Sequence, residues 1–183
     1  MRQYGRTIGI VVISALLLAS FSLHPTLVSA QSESTNLSDA QRSHIRSECT
    51  QIKGSLSQLH ATDALLRVNR GQVYESLVNK LMAPFNGRLS SAGLDNKAMA
   101  THIEQYQTAL TAFRTDYITY EKKIAELLRT DCSSEPTKFY QLVLDARERR
   151  KTVHEDVVRL HQIIDDYGNS VSDFLLNYKR LSD

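Results

Sequence analysis

Metal binding is the first chemistry that side-chain spacing suggests in this sequence. His161 and Asp165 are one helical turn apart, and His154 lies seven residues before His161. On one face of a helix, these three side chains could hold a metal ion and support a metal-dependent enzyme. The sequence has no H-E-x-x-H motif, however, so we interpret the three as solvated groups beside a helix seam. We predict no metal and no other cofactor.

Nucleophilic and phosphate chemistry find no support in the sequence. It contains no G-x-S-x-G nucleophile motif and no glycine-rich phosphate loop. Asp165 and Asp166 adjoin, but neighbouring residues in a helix point in different directions and do not form a catalytic pair. We therefore expect a protein without enzymatic activity.

The N-terminal residues have the layout of a secretory signal peptide. Arg2 and Arg6 precede an uncharged, largely apolar stretch over 8–23, and small residues at Val28 and Ala30 suit a cleavage site. We predict a signal peptide over 1–30 and a flexible polar tether over 31–37. The alternative is an uncleaved membrane anchor, although a membrane span needs about 20 apolar residues.

Charge and composition narrow the class of the exported part. Removing Arg2 and Arg6 leaves 20 basic residues, which equals the 20 acidic residues. A neutral chain argues against a general nucleic-acid binder, because such proteins need a basic face. Glycine and proline are scarce, at 7 and 3 residues in 183. Turns must therefore be few, and we predict an all-α protein with long helices.

We predict three helices, at about 38–91, 95–131 and 135–181, forming an elongated antiparallel bundle over 38–183. Ser38 and Gln41 fit a capping box at the first helix start. Pro84 should kink this helix, and Gly93 suits a left-handed cap at its end. Asp95 is a suitable N-cap for the second helix.

Apolar residues recur in steps of three and four, the heptad pattern of helices that pack as in a coiled coil. In the second helix the pattern has no gap: Met99, Ile103, Tyr106, Leu110, Phe113, Tyr117, Tyr120, Ile124 and Leu127. The third helix carries it from Phe139 to Leu181, with Arg150 as its one charged position. The first helix carries it through Leu66, Val73 and Leu77, with charged residues at two positions, Asp63 and Arg70.

Cys49 and Cys132 are the only cysteines, and we predict that they form an intramolecular disulfide. Paired cysteines are typical of exported chains, and two ligands alone make a poor zinc site. Cys49 lies near the start of the first predicted helix and Cys132 just after the second. The midpoint between them falls close to Gly93, so an antiparallel hairpin brings the two cysteines together. The bond would close the open end of that hairpin.

The same register places charged residues opposite each other. The third helix should run parallel to the first with an offset of about 86 residues. Asp63 then lies level with Arg149, with Arg150 beside it, and Arg70 lies level with Asp156. We predict a polar layer in the core that sets the register more than it stabilises the bundle. Alternatively, these long side chains reach solvent and barely interact.

Part of the sequence, at about 45–180, resembles a group of uncharacterised exported helical proteins of ultra-small candidate-phylum bacteria. The resemblance is carried by Glu48-Cys49, Asn69-Arg70, Tyr74, Gly93-Leu94-Asp95, Phe113, Asp116-Tyr117, Tyr120, Asp131-Cys132, Pro136, Phe139 and Ala146-Arg147. It implies a bacterial envelope or extracellular location and a role without catalysis.

We therefore expect a binding or scaffolding protein of the cell envelope, with a protein partner. Contact with the membrane would come only through an uncleaved N-terminal segment. The alternative function is a holdase chaperone for exported proteins, which would need exposed apolar grooves. A metal-dependent enzyme using His154, His161 and Asp165 is the third hypothesis.

Overall fold

The computed structural model describes residues 37–182, with side chains to residue 180. The helices in this range are α1 (Asp39–Ser47), α2 (Cys49–Ser76), α3 (Ala83–Ser91), α4 (Lys97–Arg129) and α5 (Pro136–Ser182), and a π-helical segment, Leu77–Met82, joins α2 to α3. These residues contain no strand, and the prediction of an all-α protein is confirmed. The predicted signal peptide and most of the tether lie outside the described residues. Leu37, assigned to the tether, is buried.

The first predicted helix is divided into shorter pieces. It begins with the expected capping box, in which Ser38 and Gln41 exchange hydrogen bonds. It then breaks at Glu48, directly before Cys49. The chain stays helical through Pro84, but the adjustment comes earlier, in the π-helical segment. Proline has no amide hydrogen and its ring clashes with the carbonyl four residues before it, and a wider turn accommodates both effects.

The connection between α3 and α4 is a glycine cap. Gly93 has a φ of 69°, in the left-handed region. The amide of Gly93 donates to the carbonyl of Ser90 at 3.0 Å, and the amide of Leu94 donates to that of Leu89 at 3.0 Å. These bonds satisfy carbonyls that the end of α3 would otherwise leave unpaired. α4 begins two residues later than expected, with Asn96 and not Asp95 at the N-cap.

One disulfide and two hydrogen bonds show that α2 and α4 run antiparallel. The Cys49–Cys132 disulfide joins their ends, with a Cα–Cα distance of 5.5 Å. Further along, Tyr120 bonds to Asp63 and Tyr106 bonds to the carbonyl of Tyr74. Within residues 37–182, no helix is long and apolar enough to cross a membrane.

The heptad prediction holds for α4, where all nine seam residues are buried. It is wrong for the second half of α2, because Leu66 and Val73 are 46 % and 56 % exposed. Gly71 and Tyr74, which directly follow the seam positions Arg70 and Val73, are buried instead. A straight α-helix drifts by about 20° per heptad, so a strict seven-residue pattern turns away from the core over several turns.

Candidate functional site

A cleft opens at the middle of the bundle, between two hydrophobic clusters of the core. One cluster surrounds the disulfide and includes Ile124 and Phe139. The other lies towards the Gly93 turn and includes Tyr74 and Leu160. Between them α2 presents charged side chains to the interior, and a cavity of about 300 Å³ remains. We call it the central cleft; its lining is Asp63, Leu66, Arg67, Arg70, Phe113, Tyr117, Tyr120, Arg150, Val153, His154 and Val157.

The cleft exists because α2 and α5 stand apart. No Cα atom of α2 lies within 8 Å of a Cα atom of α5. Two side-chain hydrogen bonds bridge the gap: Arg150 reaches Asp63, and His161 reaches Tyr74. Both bridges join residues 87 positions apart, so the two helices run parallel in one register. The bridges are about 16 Å apart along α2, and the cleft lies between them.

Asp63 is the centre of a hydrogen-bonded cluster at one end of the cleft. Its Oδ2 accepts from Arg150 Nε at 2.7 Å and from the Tyr120 hydroxyl at 2.7 Å, and its Oδ1 accepts from an Arg150 terminal nitrogen at 3.0 Å. Burial alone would raise the pKa of Asp63, but these bonds outweigh it and hold the pKa below its ordinary value. Burial also raises the pKa of Tyr120. Asp63 is therefore a satisfied carboxylate.

The other two arginines of the cleft lack such partners. Among residues 37–182, neither Arg67 nor Arg70 forms an ion pair. The guanidinium carbon of Arg67 lies 5.4 Å from the ring centroid of Tyr117, a cation–π arrangement. Its Nε is buried and has no hydrogen-bond acceptor. Buried donors of this kind are rare in folded proteins, so Arg67 is the least satisfied group in the cleft.

Tyr74 and His161 form the second bridge, about one helical turn beyond Arg70 and Val157, the last lining residues of the cleft on α2 and α5. The Tyr74 hydroxyl and His161 Nε2 are 3.0 Å apart, and the two rings meet edge to face. Tyr106 fixes this bridge by donating its hydroxyl to the carbonyl of Tyr74 at 3.0 Å. The Tyr74 side of the bridge is therefore anchored in the buried core.

Of the predicted polar layer, the structure brings together only Asp63 and Arg150. Arg149 pairs with Asp145 on its own helix, at 3.2 Å. Arg70 does not meet Asp156 and is exposed at the rim of the cleft. The drift of α2 explains this correction, because it moves Arg70 out of the seam and brings Gly71 into it.

Asp156 has a carboxylate as its neighbour where an arginine was expected. Burial and the charge of Asp116 on α4 raise the pKa of Asp156 to about 6. Its Oδ2 is buried without a hydrogen-bond partner. Asp156 is not part of the central cleft.

The residues proposed for a metal site do not form one. In the part of the chain that the structure describes, no three metal-ligating side chains come close enough to share an ion. His161 binds Tyr74, His154 lines the central cleft, and Asp165 is exposed. The cleft offers guanidinium donors and apolar walls, which suit the binding of a ligand.

Sequence reasoning missed Arg67 as a residue of the site. One feature of the sequence pointed to this region. Charged residues at Asp63 and Arg70 interrupt the apolar heptad pattern, and they mark the segment of α2 that leaves the core. The heptad spacing keeps Arg70 in the seam, but the buried residues of α2 follow a longer spacing and Gly71 is in the core instead. Arg67, three residues before Arg70, lies outside the heptad seam and was therefore not predicted.

Comparison with protein-family models, with curated proteins and with solved structures found no match to this chain.

Proposed function

We propose that this chain is an exported, non-catalytic binding or scaffolding component of the bacterial cell envelope. In this proposal a signal peptide over 1–30 directs export, and residues 38–183 form an elongated antiparallel three-helix bundle. The bundle is the rigid support, and the central cleft is its binding site. Three features support export to the cell envelope: the signal-like segment over 1–30, the Cys49–Cys132 disulfide of the helical part, and the resemblance to exported bacterial proteins.

The observation that carries the binding role is the opening of the core around Arg67. A bundle whose only role was to be a rigid spacer would gain stability from apolar residues at the positions of Asp63 and Arg67. Here the structure instead keeps a buried guanidinium nitrogen without an acceptor, beside open space. Polar groups held without partners are typical of places where a ligand supplies the missing contact.

Site-specific photo-crosslinking in the native cells tests this role. A benzophenone amino acid at Leu66, which lines the cleft, should give a covalent adduct that mass spectrometry resolves. The same group at Leu176 is the control, since that side chain is exposed but far along α5. Adducts of the same mass at both positions, or none at Leu66, would contradict binding in the cleft.

Export is tested separately. N-terminal sequencing of the protein from the envelope or the medium should begin at Gln31. Recovery from the cytosolic fraction with Met1 intact would contradict the location, and intact Met1 in the membrane fraction would indicate an uncleaved anchor.

Exposed apolar side chains on α2 favour a holdase chaperone as a second candidate. Leu65, Val68 and Val73 are each about half exposed or more. If this surface holds unfolded chains, the protein should suppress light scattering by aggregating reduced insulin at near-equimolar amounts. Replacing the three residues by serine should remove the effect. Equal suppression by the variant, or none by the native protein, would exclude this candidate.

A further inference from the structure

The electrostatic balance of the central cleft is positive. Asp63 is its only acidic lining residue, and Arg150 and Tyr120 already occupy both of its oxygens. Arg67 and Arg70 keep their charges without an ion-pair partner in the described chain. A negative group entering the cleft would therefore meet two guanidinium groups and no competing free carboxylate.

Arg67 is also positioned to donate a hydrogen bond to an acceptor on a ligand. Its planar group lies over the Tyr117 ring, which limits its freedom, and its buried Nε points to no acceptor within the described residues. A guanidinium is suited to paired hydrogen bonds with a planar carboxylate. Since the side chain is already held in place, little conformational entropy is lost when such a bond forms.

The remaining walls are apolar. Leu66, Phe113, Val153 and Val157 line the cleft beside the arginines. A volume of about 300 Å³ is at the small end of ligand sites in proteins. It suits a molecule of one or two rings, and it is too small to enclose a two-chain lipid.

We propose that the central cleft binds a small organic carboxylate with an apolar body, whose carboxylate meets Arg67 and Arg70 and whose body contacts Phe113 and Val157. This inference rests on the proposed binding role of the cleft and names the ligand class. The Asp63–Arg150 bridge, which lines the cleft, limits the length of the ligand at one end.

Isothermal titration of the purified exported protein with 2-naphthoate and with 2-naphthamide tests the proposal. The two probes share one apolar body and differ in charge. The acid should bind at least tenfold more tightly than the amide, and raising the salt concentration from 0.05 M to 0.5 M should weaken only the acid. Arg67→Gln and Arg70→Gln should each reduce affinity for the acid about tenfold, as expected for the loss of one ion pair.

Two further variants separate charge from space. Arg147→Gln removes an exposed arginine of α5 outside the cleft and should leave binding unchanged. Leu66→Trp keeps both arginines but fills the cleft, and it should abolish binding of both probes. Thermal unfolding of each variant verifies that the fold is kept.

Three results would overturn the inference: equal affinity for acid and amide, full binding by the Arg67→Gln, Arg70→Gln double variant, or no binding of either probe. The first result, together with the crosslink at Leu66, would leave the binding role and exclude only its anionic ligand. Absence of the crosslink at Leu66 together with no binding of either probe would exclude both the binding role of the cleft and its anionic ligand.

Discussion

Asp63 on α2 and Arg150 on α5 form a two-point ion pair, with nitrogen–oxygen distances of 2.7 and 3.0 Å, across helices whose backbones do not touch. The two side chains differ in environment. Asp63 is 11 % exposed and Arg150 is 51 % exposed. The hydrogen bond from Arg150 raises its own pKa, so the arginine stays charged. The pair holds α5 in register with α2 at the edge of the cleft.

Reversing the charge at Asp63 should destabilise the protein. Asp63→Arg places two arginines together and leaves the Tyr120 hydroxyl without its acceptor, so we expect a loss of about 2–4 kcal/mol in the free energy of unfolding. Adding Arg150→Asp should recover about 1 kcal/mol, because a pair with one exposed member interacts modestly. Urea unfolding of the single and double variants measures both values.

Arg149 supplies a matched control for this cycle. It is adjacent to Arg150 but pairs with Asp145, so Arg149→Asp should not recover stability in the Asp63→Arg background. Equal rescue by the two variants would show that the interaction depends on net charge and not on the observed pair.

The disulfide should contribute more to stability than any other single feature. It closes a loop of 83 residue positions between Cys49 and Cys132. In the chain-entropy model a loop of this length is stabilised by about 4–5 kcal/mol. Guanidinium unfolding with and without a reducing agent should show a loss approaching this value.

A Cys49→Ala, Cys132→Ala variant provides the control for reduction. It should unfold at the midpoint of the reduced native protein, and a reducing agent should not change it. A native protein whose midpoint is unaffected by complete reduction would contradict a stabilising role for the bond.

Much of the fold was predictable because α4 is buried on one continuous face. Its nine apolar positions recur without a gap, and all nine are in the core. The capping box at Ser38 and the left-handed Gly93 were predictable for a similar reason, since both depend on local chemistry. The antiparallel order of α2 and α4 followed from the two cysteines.

The site was less predictable, because it depends on small rotations of α2. Asp63 lies two heptads after Cys49, where the drift is still small, and its partner was near the expected level. Arg70 lies three heptads after Cys49, where the drift has moved it to the surface. For this reason the sequence did not predict that Arg67 lines the cleft. The π-helical segment before Pro84 adds a further shift beyond Arg70, where the sequence predicted only a kink.

Gly93 and Gly87 should respond in opposite directions to alanine. Neither position has an atom within 4 Å of an added Cβ, so the backbone conformation alone determines how alanine changes the stability. Gly93→Ala forces a left-handed conformation on alanine and should cost about 1 kcal/mol. Gly87→Ala lies inside α3 and should stabilise by about 0.5–1 kcal/mol. Thermal unfolding of both variants measures the difference, and two changes of the same sign would contradict the cap.

Asp156 should make stability depend on pH. Because burial and Asp116 raise its pKa to about 6, the folded protein holds a proton that the unfolded chain, with a pKa near 3.8, releases. Its contribution is therefore complete below pH 3.8 and is lost as the pH rises to 6. Asp156 is only partly buried, so this loss is smaller than the shift in pKa alone implies.

Replacing Asp156 by asparagine should remove this dependence. Asp156→Asn should be more stable than the native protein by about 1 kcal/mol at pH 7.5, since it cannot be charged beside Asp116. The advantage should shrink as the pH falls from 6 and disappear below pH 3.8.

Asp116→Asn should give a similar gain, and the double variant should add little, because the two residues act through one repulsion. Asp166→Asn, an exposed position on the same helix, is the control and should change stability little at any pH. Urea unfolding between pH 3.5 and 8 measures these differences, and an advantage of Asp156→Asn that does not vary with pH would contradict the assignment.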